Sequence, residues 1–292
     1  MILFAPATGE EFMDLFIEIL KAIFIGIVQG ITEWLPVSST GHMIIANEFV
    51  KLDVSDGCWD LFEVITQLGS IFAVVILFFD KLNPWSKNKN VEMRKRTWSL
   101  WFKVVVAVIP AAIIGLLLED WLDENFYNPV VVAVALVVYG VLFIVIERVN
   151  INKKYKVEDV YDINYPTALK IGCFQVLSLI PGTSRSGSTI LGASTVGVSR
   201  TAAAEFSFFL AIPVMLGASA LKVFKAFALD GVTLTSTEIA VLIAGTITAF
   251  AVSMVAIKFL MSFVKKHSFE SFGWYRIGLG IVLIVYFLIK NI

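Results

Sequence analysis

Gln29-Gly30-Ile31-Thr32-Glu33-Trp34-Leu35-Pro36-Val37-Ser38-Ser39-Thr40-Gly41-His42 is a polar run between apolar stretches. Phe12–Ile31 leads into it and is long enough to cross a bilayer. Met43–Val50 follows and is too short to return through about 30 Å of hydrocarbon. A carboxylate, a proline and a group of hydroxyls at that junction predict a helical hairpin that enters the membrane and turns back. Irregular backbone at membrane depth is tolerated only where protein buries it or it lines a wet cavity. A second such run, Pro181-Gly182-Thr183-Ser184-Arg185-Ser186-Gly187-Ser188-Thr189, ends the short apolar stretch Thr167–Ile180 and reads as a second hairpin.

Outward from these tips the chain is strongly apolar. Of 292 residues, 58% are hydrophobic and 16% charged, against about 25% charged in soluble domains. Apolar runs at Leu61–Phe79, Val104–Leu118, Val130–Ile146, Phe206–Leu221, Ile239–Ile257 and Ile277–Ile289 predict six transmembrane helices. The expected fold is therefore an all-α integral membrane protein, six spans plus two re-entrant hairpins, in one domain over 1–292. No cleavable signal peptide is expected, because Glu10, Glu11 and Asp14 stand where a basic n-region would lie. Cys58 and Cys173 form no disulfide framework and match no metal spacing.

Loop charge orients the spans. Lys81, Lys87, Lys89, Arg94, Lys95, Arg96 and Lys103 follow the first span and place that loop inside. Glu119–Pro129 has four carboxylates and no Lys or Arg, so it lies outside. Arg148, Lys153, Lys154, Lys156 and Lys170 mark the next loop as inside. Continuing the count puts both termini outside. The first hairpin is then entered from outside and the second from inside.

The two hairpins also share spacing. Gly26-x-x-Gln29 and Gly172-x-x-Gln175 precede the polar runs at an offset of 172 − 26 = 146, and Gly41 and Gly187 repeat it, 187 − 41 = 146. The prolines differ by one place. These features predict an inverted-topology repeat, approximately 1–147 and 148–292, with a binding site near the midplane.

Ionisable groups in membrane segments are expensive and usually functional. Glu33, His42 and Arg185 all sit in the tips. Proline stops the first half-helix of each hairpin, and Ser, Thr and Gly favour capping the next. A new helix N-terminus presents backbone N–H groups to an anion, and Arg185 adds a guanidinium fork suited to phosphate oxygens. Ser38, Ser39, Thr40, Thr183, Ser184, Ser186 and Thr189 offer hydroxyls, and Gly187 keeps the backbone accessible. The combination predicts a phosphate or diphosphate cradle. Gln29 and Glu33 lie four apart on one helical face and suit a hard cation, Mg²⁺ or Ca²⁺, with phosphates completing its shell. Ser39 is a candidate nucleophile with His42 as its base or as proton donor to the leaving group; a water positioned by Glu33 is the other route. Trp121, Trp274 and Tyr275 read as interfacial anchors.

At these tips the sequence resembles the bacterial undecaprenyl-diphosphate phosphatase family, of the bacitracin-resistance type. The resemblance is carried by Gln29-x-x-x-Glu33, Pro36-Val37-Ser38-Ser39-Thr40-Gly41-His42 and Pro181-Gly182-Thr183-Ser184-Arg185-Ser186-Gly187. Phe62-Glu63-Val64, Gln67-Leu68-Gly69-Ser70, Gly197-Val198-Ser199-Arg200 and Glu205-Phe206-Ser207-Phe208 extend it over nearly the whole chain. It implies a divalent-cation-dependent hydrolase converting a C55 polyprenyl diphosphate to the monophosphate, which recycles the carrier lipid for peptidoglycan. It further implies a plasma-membrane location, a lipid substrate, no nucleic-acid partner, and Glu33, Ser39, His42 and Arg185 as the functional set. Gln29 departs from members with Glu there. The competing expectation, from inverted repeats and broken helices, is a transporter of an anion or a polyprenyl-phosphate lipid.

Overall fold

The computed structural model describes residues 9–126, 128–151 and 153–290. Its elements are helical: α1 (Gly9–Thr32), α2 (Ser39–Phe49), α3 (Asp56–Leu77), the single turn α4 (Phe79–Leu82), α5 (Val91–Phe126), α6 (Pro129–Asn150), α7 (Tyr165–Gln175), α8 (Arg185–Thr195), α9 (Arg200–Phe224), α10 (Ser236–Phe263) and α11 (Glu270–Lys290). Among the described residues the only β pairing is the isolated bridge Val157–Val198. Local chemistry sets the helix starts. Ser55 caps α3, and Asn128 caps α6 with Pro129 in its first turn. Thr235 and Glu238 form a reciprocal capping box at α10.

Seven helices are long and apolar enough to cross a membrane: Phe12–Thr32, Asp56–Leu77, Val91–Leu118, Pro129–Asn150, Arg200–Leu229, Ser236–Phe263 and Glu270–Lys290. Six of them coincide with the six expected spans, five containing theirs and Asp56–Leu77 ending two residues short of Phe79. The seventh is the first arm of the first hairpin, an unbroken helix up to Thr32. By contrast α2, α7 and α8 have 11 residues each, or about 16 Å, roughly half the hydrocarbon thickness. Large apolar side chains point outward along the long helices, with Leu116, Leu117 and Val255 each about 70% exposed. Lipid tails cover such surfaces without cost, whereas water would not.

The helices pack in matched pairs: α1 on α10, α7 on α5, α3 against α9 and α6 against α11. Small residues allow close approach. A Cβ on Gly26 would lie 2.6 Å from the Gly245 carbonyl oxygen, and one on Gly172 would lie 2.3 Å from that of Ala107. The two glycines of the repeated Gly-x-x-Gln spacing therefore each seat a hairpin arm against a long helix. The interior around the tips is aromatic, with Trp34, Phe143, Phe206, Phe208 and Phe209 buried in one cluster.

Candidate active site

Two serines shape the tips. Ser38 (φ 73°) and Ser184 (φ 75°) are the non-glycine residues with positive φ among the described residues. Such a backbone costs of order 1–3 kcal/mol and persists only where its surroundings enforce it. Each serine then caps a short helix. Ser38 Oγ accepts from the Gly41 N–H at 3.3 Å at the start of α2, and Ser184 Oγ accepts from the Gly187 N–H at 3.1 Å at the start of α8. Their offset, 184 − 38 = 146, equals that of the glycines and glutamines.

The tips meet. Arg185 Nη2 donates to Glu33 Oε1 at 3.2 Å across 152 positions of sequence. Both side chains are close to buried. Gln29 Nε2 donates to Glu33 Oε2 at 3.0 Å, and Arg185 Nη1 donates to the Ser207 carbonyl of α9 at 2.9 Å. The Trp34 ring lies under the guanidinium, 5.7 Å from its central carbon. Glu33 is thus paired with Arg185, while Lys21 pairs with Glu18 at 2.6 Å.

Two adjoining cavities of about 200 Å³ each open beside this pair. The first is lined by Glu33, Arg185, Ser184, Gly182 and an apolar side of Ile180, Val214, Met215 and Ala218. The second is lined by Gln29, Glu63, Lys222, Met43 and Leu179. Ser39, Thr40, Gln67, Ser178 and Pro181 line both.

Several expected phosphate ligands turn elsewhere. Ser186 Oγ lies 3.3 Å from the carbonyl oxygens of Glu33 and Leu35, tying tip to tip. Thr189 Oγ1 lies 2.7 Å from Ser207 Oγ and 3.0 Å from the Arg185 carbonyl oxygen. Thr183 is fully buried and lines neither cavity. His42 lines neither as well. Its Nδ1–H donates to the Ser38 carbonyl at 2.7 Å, which leaves Nε2 to accept from the Tyr275 hydroxyl at 2.7 Å. The two rings stack with centroids 5.6 Å apart. Tyr275, expected as an interfacial anchor, also holds His42.

Arg276 is absent from the sequence expectations. It is fully buried in α11. Nη1 donates to the Pro36 carbonyl at 3.2 Å, and Nη2 donates to the carbonyls of Gly182 and Thr183 at 2.9 Å each. One guanidinium thereby joins both tips. The signal that could have found it is a charge inside a membrane-length helix; it sits one residue before the apolar run that begins at Ile277. Gln67 and Ser178 were also not singled out as ligands, having no charge or tip position to mark them.

Among the described residues no group of three or more His, Cys, Asp or Glu could hold a metal ion. The cavity linings carry Glu33 against Arg185 and Glu63 against Lys222, so their formal charges cancel. A diphosphate needs further positive charge. Mg²⁺ is commonly held by one or two carboxylates plus substrate phosphates, and Glu33 fits that arrangement. A cage built from protein ligands alone does not fit.

Fold and site define a class: a helical membrane protein with an ion-paired, hydroxyl-lined cavity between two hairpin tips. The chain belongs to the family described as bacitracin resistance protein BacA, which matches residues 22–282. It is 57% identical over 274 residues to the undecaprenyl-diphosphatase of Enterococcus faecalis, covering 94% of this chain and 99% of that one. It is 55% identical to the undecaprenyl-diphosphatase of Limosilactobacillus fermentum, over 93% and 98% of the two chains. The undecaprenyl-diphosphatase of Acetivibrio thermocellus is 53% identical over the same shares.

Proposed function

We propose that this site hydrolyses undecaprenyl diphosphate to undecaprenyl phosphate and inorganic phosphate, which recycles the carrier lipid for cell-wall synthesis and confers bacitracin resistance. The observation that carries the reading is the meeting of Glu33 and Arg185 in one cavity with Ser39 and Thr40. Family membership and the names of the relatives support it.

Phosphoryl transfer needs charge stabilisation and an in-line nucleophile more than elaborate covalent machinery. Arg185 faces the phosphate oxygens, and the N-terminus of α2 turns its N–H groups toward them. Ser39 is the nucleophile of this reading: its Oγ bonds to the terminal phosphorus, the bridging P–O bond breaks, and the prenyl phosphate leaves with the electron pair. Water then cleaves the phosphoserine. Glu33 shares the cavity with Ser39 and takes its proton. His42 holds the Ser38 carbonyl and so fixes the start of α2. Glu33 would hold a divalent cation, Mg²⁺ or Ca²⁺, which would supply the positive charge that the lining lacks.

The reading extends to topology. The chain lies in the bacterial plasma membrane as one domain of two inverted repeats, 1–147 and 148–292, with six spans and two re-entrant hairpins. The matched helix pairs and the shared offset of 146 support the repeats, and loop charge supports termini and site opening on the external face.

The test is phosphate release by purified protein in detergent from polyprenyl diphosphates of several lengths, with and without chelator. Release without any gradient, lost on chelation, is expected. Absence of release together with lipid movement across vesicles would replace hydrolysis by transport.

A further inference from the structure

A third cavity, of about 290 Å³, lies apart from the two beside Glu33 and shares no lining residue with them. One wall is the loop after α6, with Lys153, Lys154 and Lys156; the other is the turn from α8 to α9, with Gly197 and Arg200. Glu147 is the one carboxylate in the lining, so the formal charge is 4 − 1 = +3. That carboxylate is already engaged, by Arg200 Nη2 at 2.6 Å and the Phe269 N–H at 3.1 Å. Nearby cations have partners: Arg96 pairs with Asp162, and Arg148 with Glu270. Among the described residues the ammonium groups of Lys153, Lys154 and Lys156 have none.

Loop charge alone accounts for basic residues on this side, but not for their arrangement. The loop is pinned to the turn. The Gly197 carbonyl accepts from the N–H groups of Lys156 at 2.8 Å and Val157 at 3.3 Å, and the Ser199 N–H donates to the Val157 carbonyl at 2.8 Å. Asn150 Nδ2 donates to the Ser194 carbonyl at 3.1 Å. Gly197 has φ 86°, and a Cβ there would lie 3.2 Å from Lys156 Cγ, so the lysine stem lies along the turn. Like charges are thereby held around a concavity, and a cleft lined by one sign of charge concentrates counter-ions.

We infer that this cavity binds the phosphate-bearing headgroup of an anionic phospholipid. It opens at the end of the membrane-length helix Pro129–Asn150. Asn150 lines it, and the neighbouring Val149 and Ile151 are 58% and 73% exposed, apolar surface that acyl chains would cover. A basic pocket between the ends of membrane helices suits a lipid phosphate. The three ammonium groups would donate to its oxygens, together with Arg200 Nη1, which Glu147 leaves unused. A soluble phosphate would meet the same cations and leave the apolar flank uncovered. Held from both walls, the headgroup would tie the loop to the end of α8, the helix whose first residue is Arg185.

Native mass spectrometry of the full chain in detergent, titrated with phosphatidylglycerol or phosphatidylcholine, tests this. Phosphatidylglycerol should bind the wild type at least about tenfold more tightly than phosphatidylcholine. The triple variant Lys153→Gln, Lys154→Gln, Lys156→Gln should weaken phosphatidylglycerol about tenfold or more. A control triple on the same basic face, Lys87→Gln, Arg94→Gln, Lys95→Gln, should stay within about twofold of the wild type. Should the first triple depart from the wild type in gel filtration, its three single variants carry the test, each expected to be about threefold weaker. Equal weakening by the two triples means diffuse attraction and overturns the site. So does unchanged binding in the cavity variants, or equal affinity for the two lipids. Inorganic phosphate in tenfold excess over lipid should leave phosphatidylglycerol bound; its displacement makes a soluble anion the occupant and overturns the lipid assignment.

Discussion

The first and second hairpins have the same skeleton and different chemistry. Both end in a serine of positive φ that caps an 11-residue helix, at the same offset of 146. Position by position the side chains then part. Glu33 corresponds to Leu179, Ser39 to Arg185, and His42 to Ser188, each by adding 146. Gln29 donates to Glu33, whereas Gln175, opposite a leucine, has neither amide atom bonded in the structure. The first tip supplies carboxylate and hydroxyl, the second the guanidinium. Neither is a site alone. On the proposed reading, two turns of the same shape divide a single reaction between them, and the geometry that they share sets the N-termini of α2 and α8 on one cavity.

The largest expected effect breaks the second tip's contribution. Arg185→Lys keeps the charge but loses the planar fork, and turnover should fall about 100-fold or more. Phosphate release by the purified variant measures it, and near-normal turnover would remove Arg185 from the reaction. Next comes the first tip. Ser39→Ala should lose far more than tenfold, a barrier rise above about 1.4 kcal/mol. A variant keeping a tenth or more of wild-type turnover makes Ser39 a phosphate-positioning residue and the nucleophile a water. Glu33→Gln should lower activity and raise the Mg²⁺ concentration giving half of it. An unchanged metal titration would show that Glu33 is no ligand.

The smaller effects probe the shared skeleton. Ser38→Ala and Ser184→Ala should each destabilise by about 1 kcal/mol through the lost cap, read by thermal unfolding in detergent. Ser184→Gly should cost less, because glycine accepts positive φ without strain. A glycine variant weaker than the alanine one would contradict the backbone account. Smallest is the glutamine contrast. Gln175→Leu removes an unbonded buried amide and should change stability by under about 1 kcal/mol, toward a higher melting temperature. Gln29→Leu should instead cut activity, since it strips a donor from Glu33. Equal behaviour of the two would erase the distinction drawn between them.

Much of this architecture was legible in the chain. Apolar length announces spans because hydrocarbon thickness is fixed, and Pro36 and Pro181 mark where half-helices stop. The Gly-x-x-Gln spacing marked two close-approach points, Gly26 against α10 and Gly172 against α5. The direction of side chains around short helices was not legible. Ser186 and Thr189 carry the same hydroxyl as Ser39, yet α8 turns them inward against Glu33, Leu35 and Ser207. His42 lies three residues after Ser39 and still faces Tyr275 on α11. Those directions depend on distant helices, which no local pattern encodes. Gly9–Thr32 continues as one helix through a region expected only as a hairpin arm, because nothing interrupts its hydrogen bonds before Pro36.

Arg276 sets an order of events in time. Its three hydrogen bonds reach the Pro36 carbonyl in the first tip and two carbonyls in the second. A ribosome delivers residues from the N-terminus onward, so both tips are made before α11 emerges. Until Arg276 arrives, those carbonyls await their partner, and the tips are joined through Arg185 and Ser186. The last of the ties between the tips is thus the last to be synthesised. A chain that ends before Glu270 lacks this tie, and its phosphate release in detergent should fall well below that of the full chain.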